Sequence, residues 1–596
     1  MSPRILIPVL LLVAAAFTPA LLGGYVYDDL IVVERATRIA ASGAWERLLF
    51  EPFFGNVAPY WRPLTSSLLV LGDGIGGPSG IHALALLLHL GAVTAAFGIA
   101  RELRLTPVAA GLAALLFGLH PVQVESVAWA SALNDVLYGG LSLAAIWATL
   151  SWRRRGARGL PWLSLSLALL ALLAKENALI APLLVIAAAV LPVPCKSGER
   201  QDAASGSRPC SRQESSRIAS PAASLASRLL RSLVPSLLVL AVFFGARMAV
   251  FGSAAAGLDR VQLDASYSAG RALIAPAWIF SQLLLTLAWP WPMTPFRTVP
   301  LALGGWSHML QILLPLLVAA GLLIWLRRKP GTWLLAALLF APILLVSARF
   351  DALGAHPVSD RYLYPGVFVL AAGLAFWAKP YRSRQLALLL LAIGGAGLSS
   401  WQCTRWQTQQ SLVSHGIRFS PKDPALSVMQ GNALLRENPP RVDAALQSFY
   451  KALRQLSDRG QGVPASPESS AMLQHRSLVD AYVGVGMCEL QMAQRGGPAA
   501  IRSAQSHFAK ALNHLPSDIH AWTGRGIAHA MLGERGEAER SLRRALQIDG
   551  AHVPALFNLA RLLHLSGRNA QARVLLQSVL RLQPEHAAAR QMLTGR

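Results

Sequence analysis

"ILIPVLLLVAAAFTPALLGGYVYDDL" (Ile5–Leu30) sets an apolar run directly before two adjacent carboxylates, Asp28 and Asp29. The run is close to the roughly 20 residues that a helix needs to cross a hydrocarbon core of about 30 Å. Its "FTPA" would suit a signal-peptide cleavage site, but the run is long and further apolar runs follow, which points to an uncleaved anchor. Such runs recur to about Ser400 and stop after Trp401. The 596 residues are 54% hydrophobic and only 14% charged, with a mean hydropathy of +0.43. This sets the chain apart from ordinary soluble enzymes and predicts a mostly membrane-embedded protein. Two acids where the first span lets go of the bilayer therefore need a reason.

The formal net charge is +24. Its basic residues sit where apolar runs end rather than along one amphipathic face, so they read as topology signals and no nucleic-acid partner is expected. The clusters are Arg101 with Arg104, Arg153 to Arg155 with Arg158, Arg327 to Lys329, and Lys379 with Arg382 and Arg384. The positive-inside rule makes all of them cytoplasmic. With the amino terminus inside, eleven spans satisfy this, near 5–22, 81–100, 107–119, 135–151, 160–174, 178–192, 232–250, 308–326, 331–347, 363–378 and 385–401. Counting 272–292 as a twelfth would put later clusters on the wrong side, so its Trp- and Pro-rich sequence reads as re-entrant or interfacial. The Ser-, Ala- and Arg-rich stretch 193–231 reads as a disordered cytoplasmic loop. Cys195, Cys210, Cys403 and Cys488 are too scattered for a disulfide framework or a zinc site.

Beyond Trp401 the sequence turns polar and shows a 34-residue self-similarity. Gly533 and Gly567 are so spaced, as are Ala538 and Ala572, Leu542 and Leu576, and Gly550 and Pro584; Ala504, Phe508, Ala511 and Pro516 extend the series backwards. Small residues at constant positions let paired helices approach closely. This is the tetratricopeptide pattern, with 521–550 as its best copy and a weaker one at 432–453. It predicts a solenoid with a concave surface that either holds a partner or braces the membrane part.

Ionisable groups at membrane depth are costly, about 2.5–3.5 kcal/mol each on insertion scales, and so mark candidate sites. The ends assigned to the outer face collect "YVYDDL" (25–30), "YWRPLT" (60–65), "HPVQVESVAWASALND" (120–135), "LAKENALIAP" (173–182) and "HPVSDRYLYP" (356–365). Singly, each has a plain explanation: Trp61, Trp129, Tyr362 and Tyr364 suit an interface, and Arg62 can snorkel to a lipid phosphate. Their gathering on one face is harder to explain away.

In this order, and followed by tetratricopeptide repeats, the motifs resemble the bacterial relatives of the transmembrane and tetratricopeptide-repeat O-mannosyltransferases. These are integral-membrane glycosyltransferases of GT-C fold that use polyprenyl-phosphate sugars. The resemblance covers nearly the whole chain. It implies an all-α protein: a GT-C membrane domain of about 11 spans over 1–401, then a periplasmic tetratricopeptide-repeat domain over 420–596, in a bacterial inner membrane. It also implies transfer of a sugar, mannose being the family's best-known, from a polyprenyl-phosphate donor to a hydroxyl of a periplasmic protein or glycan, with inversion.

A hydroxyl is a poor nucleophile, so a carboxylate must take its proton. The resemblance assigns this to Asp28 or Asp29, and the two remain open. The leaving phosphate needs positive charge already in place. Arg361 matches the family's late-loop arginine, and Arg62 is a second candidate. His120, Glu125, Asp135 and Tyr362 are candidates for sugar or acceptor binding; Lys175 and Glu176 either join them or form a structural pair at a span end. Asn134 departs from relatives that often carry a basic residue there, which shifts the burden to Arg361 and Arg62. "YDDL" has no DxD spacing, so neither a metal nor a cofactor is expected. The competing readings are a membrane-anchored repeat protein acting as a non-catalytic assembly factor, and transfer of another sugar to a lipid or polysaccharide. A transporter is disfavoured, because the ionisable groups gather at one face rather than across the midplane.

Overall fold

A computed structural model describes residues 3–41, 43–53, 60–191, 221–254, 269–297, 305–326, 340–347, 356, 358–458 and 469–594. The chain divides into two compact units: Met1–Thr37, Glu46–Leu353 and Pro357–Thr408 form the first, and Arg38–Trp45, Gly354–His356 and Gln409–Arg596 form the second. Every regular element among the described residues is a helix. One antiparallel bridge joins Arg297 to Val358.

Helices are what apolar runs in a lipid setting require, because each backbone group must then be satisfied within its own segment. The first unit contains α1 (Pro3–Phe17), most of α2 (Asp29–Ala41), α3 (Arg47–Phe50), α4 (Pro63–Glu102), α5 (Pro107–Leu119), α6 (Gln123–Ala128) and α7 (Leu133–Arg154). It continues with α8 (Trp162–Ala174), α9 (Ala181–Val190), α10 (Pro221–Phe251), α11 (Ala269–Ala288), α12 (Trp306–Leu326), α13 (Val367–Ala378) and α14 (Arg382–Cys403). Among the described residues, five stretches are long and apolar enough to cross a membrane: Pro3–Leu22, Pro63–Glu102, Ala130–Arg154, Leu225–Phe251 and Arg382–Trp406. Shorter apolar helices pack among them. Small residues make the close contacts, as expected where apolar packing replaces a hydrophobic driving force. A Cβ at Gly98 would run into the Trp147 ring, and one at Gly118 would lie 2.7 Å from Val13 of α1.

The termini of α4 and α7 polarise this unit. At one end Arg154 reaches Glu102 at 3.2 Å and Arg153 donates to the Ala188 carbonyl at 2.9 Å. At the other, Arg62 meets Glu176 and Lys175 meets Asp135.

Two segments differ from the sequence expectation. Helix begins at Pro63, well before the expected span at 81–100, breaks at Gly76 and Gly77, and resumes at Pro78. Gly77 has φ +59°, a value glycine takes without steric cost, and proline then suits a helix start. The second difference is α10, which starts at Pro221 inside the stretch expected to be disordered. "PAASLASRLLR" (221–231) is made of good helix formers behind a proline. The rest of that loop, 193–220, lies outside the described residues, as do 331–339 of the expected ninth span. Residues 272–288 belong to a continuous helix, α11, whose Ser281 hydroxyl donates to the Ile312 carbonyl of α12 at 3.1 Å.

The second unit is built of helix pairs: α15 (Gln409–Phe419), α16 (Pro424–Leu435), α17 (Val442–Asp458), α18 (Ser469–His514), α19 (Ile519–Met531), α20 (Arg535–Ile548), α21 (Val553–Leu565), α22 (Asn569–Leu582) and α23 (Ala587–Thr594). α18 is two helices joined across Gly497. The 34-residue series is the buried one: Ala504, Phe508, Ala511, Ala538, Leu542, Ala545, Ala572 and Leu576 are all in the core. Phe508 fills a slot between Gly486 and Gly524, where a Cβ at the first would lie 2.8 Å from the ring and one at the second closer still. Asp518 caps α19 by accepting from the Ala521 N–H at 2.7 Å. Asp423 caps α16 likewise, and its other oxygen pairs with His356 Nε2 at 2.6 Å.

Candidate functional site

The acid pair lies where the first apolar stretch gives way to α2. Tyr27 has φ +53°, uncommon for a bulky residue. The Asp28 carbonyl then accepts the N–H groups of Ile31 and Val32, both at 3.0 Å, which starts the helix. Asp29 is fully buried. Its Oδ2 accepts the Val26 N–H at 3.0 Å, and its Oδ1 accepts the Ser131 N–H at 2.6 Å and the Ser131 hydroxyl at 2.5 Å. One carboxylate thus ties the segment before α2 to the segment before α7. Burial pushes the Asp29 carboxyl up to about 7; the hydrogen bonds from Ser131 and Val26 pull against that, and the neighbouring Asp28 adds to the rise. Asp28 itself is only partly buried, so the backbone gives the two acids different settings.

Around them is a layer of paired charges. Glu125 of α6 accepts the Asp360 N–H at 2.9 Å and an Arg361 guanidinium N–H at 2.5 Å. Arg361 lies 4.8 Å over the Trp129 ring and 4.9 Å over the Tyr362 ring, and donates to the Tyr362 hydroxyl at 3.2 Å. Asp360 pairs with Arg297, which also donates to Thr286 at 2.6 Å. Lys175 donates to Asp135 at 2.5 Å and stands 5.5 Å over the Tyr362 ring. Glu176 accepts the Trp61 N–H at 2.7 Å and Arg62 Nε at 3.1 Å, and Arg62 lies over Phe53 and Tyr60. Burial pushes the Glu125 carboxyl up against the pull of Arg361. Burial would lower the Arg361 guanidinium, but Tyr362, Glu125 and Asp135 outweigh it and hold it fully charged. Burial likewise brings the Lys175 ammonium down to about 8 against the pull of Asp135.

Of the residues singled out in the sequence, Arg62, Glu125, Asp135, Lys175, Glu176, Arg361 and Tyr362 therefore meet in one layer. The acid pair joins it through Tyr27, whose ring centroid is 5.4 Å from that of Trp129. Lys175 and Glu176 are not a pair with each other. Lys175 has extended backbone, φ −161° and ψ 141°, so the neighbours point to different partners. His120 stands apart: its Nδ1 accepts the Val122 N–H at 3.3 Å and its Nε2 meets the Leu287 carbonyl of α11 at 3.1 Å. Burial pushes that imidazole down to about 4, so it is neutral and works as a brace. Asn134 donates to the Ser131 carbonyl at 2.6 Å, steadying the residue that holds Asp29.

Sequence reasoning missed four participants. Arg247, inside an apolar run, approaches Glu176 at 4.0 Å; an arginine within a span was itself a signal. Arg297 and Asp360 meet only by folding. Trp129 read as an interfacial aromatic, yet it stacks on Trp406 at 5.6 Å and supports Arg361.

Residues 531–595 match the tetratricopeptide repeat family. Protein O-mannosyl-transferase Tmtc2 of Drosophila melanogaster is 31% identical over 173 residues, which is 26% of this chain and 18% of that protein. Protein O-mannosyl-transferase Tmtc1 of the same organism is 32% identical over 176 residues, 27% of this chain and 20% of that one. The aligned part thus spans about a fifth of the length of these relatives. Among solved structures, TTC0263, a thermophilic tetratricopeptide-repeat protein of Thermus thermophilus, aligns with a TM-score of 0.25 at 23% identity, over 35% of this chain and 95% of that one. YrrB, a tetratricopeptide-repeat protein with an unusual peptide-binding site, aligns with a TM-score of 0.22 at 17% identity, over 36% and 90%. The chain accordingly has tetratricopeptide repeats, several apolar helices fit for a membrane, and a distant similarity to named O-mannosyl-transferases.

Proposed function

We propose that the protein is a membrane glycosyltransferase of GT-C type, with about eleven spans, in a bacterial inner membrane. It moves a sugar, mannose first, from a polyprenyl-phosphate donor to a hydroxyl of a periplasmic protein or glycan. The acceptor oxygen bonds to the anomeric carbon from the face opposite the phosphate, and its proton passes to Asp28. The bond from the anomeric carbon to the phosphate oxygen breaks, and polyprenyl phosphate leaves with the electron pair beside Arg361. Inversion follows from this single displacement. Asp28 is the base because it retains exposure, whereas Asp29 is fully buried and positions the loop. Arg361 takes the phosphate because 18% of its side chain stays accessible, against 10% for Arg62. A guanidinium suits a phosphate because its planar fork donates two parallel hydrogen bonds.

The observation that carries this reading is the linkage of the acid pair to Arg361 through Tyr27 and Trp129. It is tested with purified full-length chain, polyprenyl-phosphate mannose and periplasmic extract, with mass spectrometry of the products. Wild type transfers hexose, Asp28→Asn loses transfer by about a hundredfold or more, and full activity in the Asp28→Asn, Asp29→Asn double variant sinks the catalytic reading. The tetratricopeptide match over 531–595 favours a second reading, a membrane-anchored assembly factor. That reading requires the double variant to keep its biological activity.

A further inference from the structure

Two buried polar atoms beside Arg361 lack a hydrogen-bond partner among the described residues: Trp129 Nε1 and Asp135 Oδ2. Trp129 is 3% exposed and Asp135 not at all. Folded proteins leave few such atoms, because each loses its hydrogen bonds to water without replacement. Both side chains are otherwise anchored. The Trp129 ring lies under Arg361 at 4.8 Å, and Asp135 Oδ1 is held by Lys175 at 2.5 Å. The Tyr362 ring sits against both cations, 4.9 Å from Arg361 and 5.5 Å from Lys175. The free donor and the free acceptor therefore belong to the partners of two cations, Arg361 and Lys175, that are set against one aromatic ring, and Trp129 lies next to the guanidinium assigned to the donor phosphate.

A sugar hydroxyl is both donor and acceptor, so it satisfies an indole N–H and a carboxylate oxygen alike. An ammonium or apolar group satisfies only one of them or neither. Resting on the donor reading above, we infer that Trp129 Nε1 and Asp135 Oδ2 read hydroxyls of the donor sugar beside its phosphate, and are the specificity-determining pair of the site. Buried groups built to bond a hydroxyl reject an analogue that lacks it, since they are then left unpaired.

The test is titration calorimetry on the full chain in detergent with two probes, citronellyl phosphate and citronellyl-phosphate mannose. Wild type binds the mannosylated probe more tightly. Trp129→Phe keeps the ring under Arg361 but removes the N–H, and weakens only the mannosylated probe, by about tenfold; Asp135→Asn weakens it by about thirtyfold. Circular-dichroism melting of each variant reports folding, and the two substitutions are independent tests should one fail to fold. Unchanged binding of both probes overturns the inference, and so does equal loss of both, which would mean that the residues act only through Arg361. Equal affinity of the wild type for the two probes overturns this inference alone. A wild type that binds neither overturns the donor reading and the inference with it.

Discussion

Asp29 has no solvent exposure and three hydrogen-bond donors around its carboxylate, so its protonation is coupled to folding. Its folded value of about 7 lies above the ordinary 3.8. Between those values the folded chain holds a proton that the unfolded chain has lost, so this stability is present at low pH and is lost as pH rises from about 4 to about 7. The melting temperature of the detergent-solubilised chain therefore falls between about pH 5 and pH 7 through this group, and Asp29→Asn flattens that slope. An equal slope in the variant would assign the dependence elsewhere. Glu125→Ala removes the carboxylate that accepts from the Arg361 guanidinium, breaks a buried ion pair and costs about 3–5 kcal/mol, read as a loss of thermal stability. In the sequence Asp28 and Asp29 are adjacent and equivalent. What separates them is the left-handed turn at Tyr27 and the start of α2, which aim one side chain inward and leave the other partly exposed.

The elements follow from local chemistry more closely than the site does. Apolar runs became helices near the expected bounds, as in Pro107–Leu119 for 107–119 and Trp162–Ala174 for 160–174. The failures are equally local. At α4 the expected span began at 81, yet helix already starts at Pro63 and resumes after the break at Gly76 and Gly77, where Gly80 packs against Gly72. A Cβ at Gly80 would run into the Gly72 carbonyl oxygen. Gly80→Val should thus force the two halves apart and speed deuterium exchange of amides in 63–102; unaltered exchange would count against this packing. In the repeats, Phe508→Ala empties a fully enclosed slot and costs about 3–5 kcal/mol, measurable by urea denaturation.

At the scale of the molecule, the repeats bury their cores between neighbours, so each depends on the next. Ala538, Leu542 and Ala545 share a core cluster with Ala555, Leu559 and Ala572. A chain ending at Gly550 loses five of the eight buried residues of that cluster, and amides of α20 should exchange with deuterium faster than in the full chain. Unchanged protection of 535–548 would show that the repeat stands alone. Topology is tested by reporter fusions: an enzyme active only in the periplasm should work when fused after Leu119 or Thr408, and be silent after Arg158 or Lys379.

Composition and periodicity alone were enough for helical class, for apolar helices fit for a membrane and for the repeat register, because burial patterns recur within a few turns and a 34-residue unit repeats its own small residues. They also singled out most members of the charged layer, since ionisable groups are conspicuous in so apolar a chain. Partners were another matter. That Glu125 holds Arg361 across more than two hundred residues, that Lys175 and Glu176 point to different acids and bases, and that Arg297 meets Asp360 are facts of packing. Ion pairs of this kind form between segments far apart in the chain, and nothing in their local sequence encodes which of several available charges each will meet.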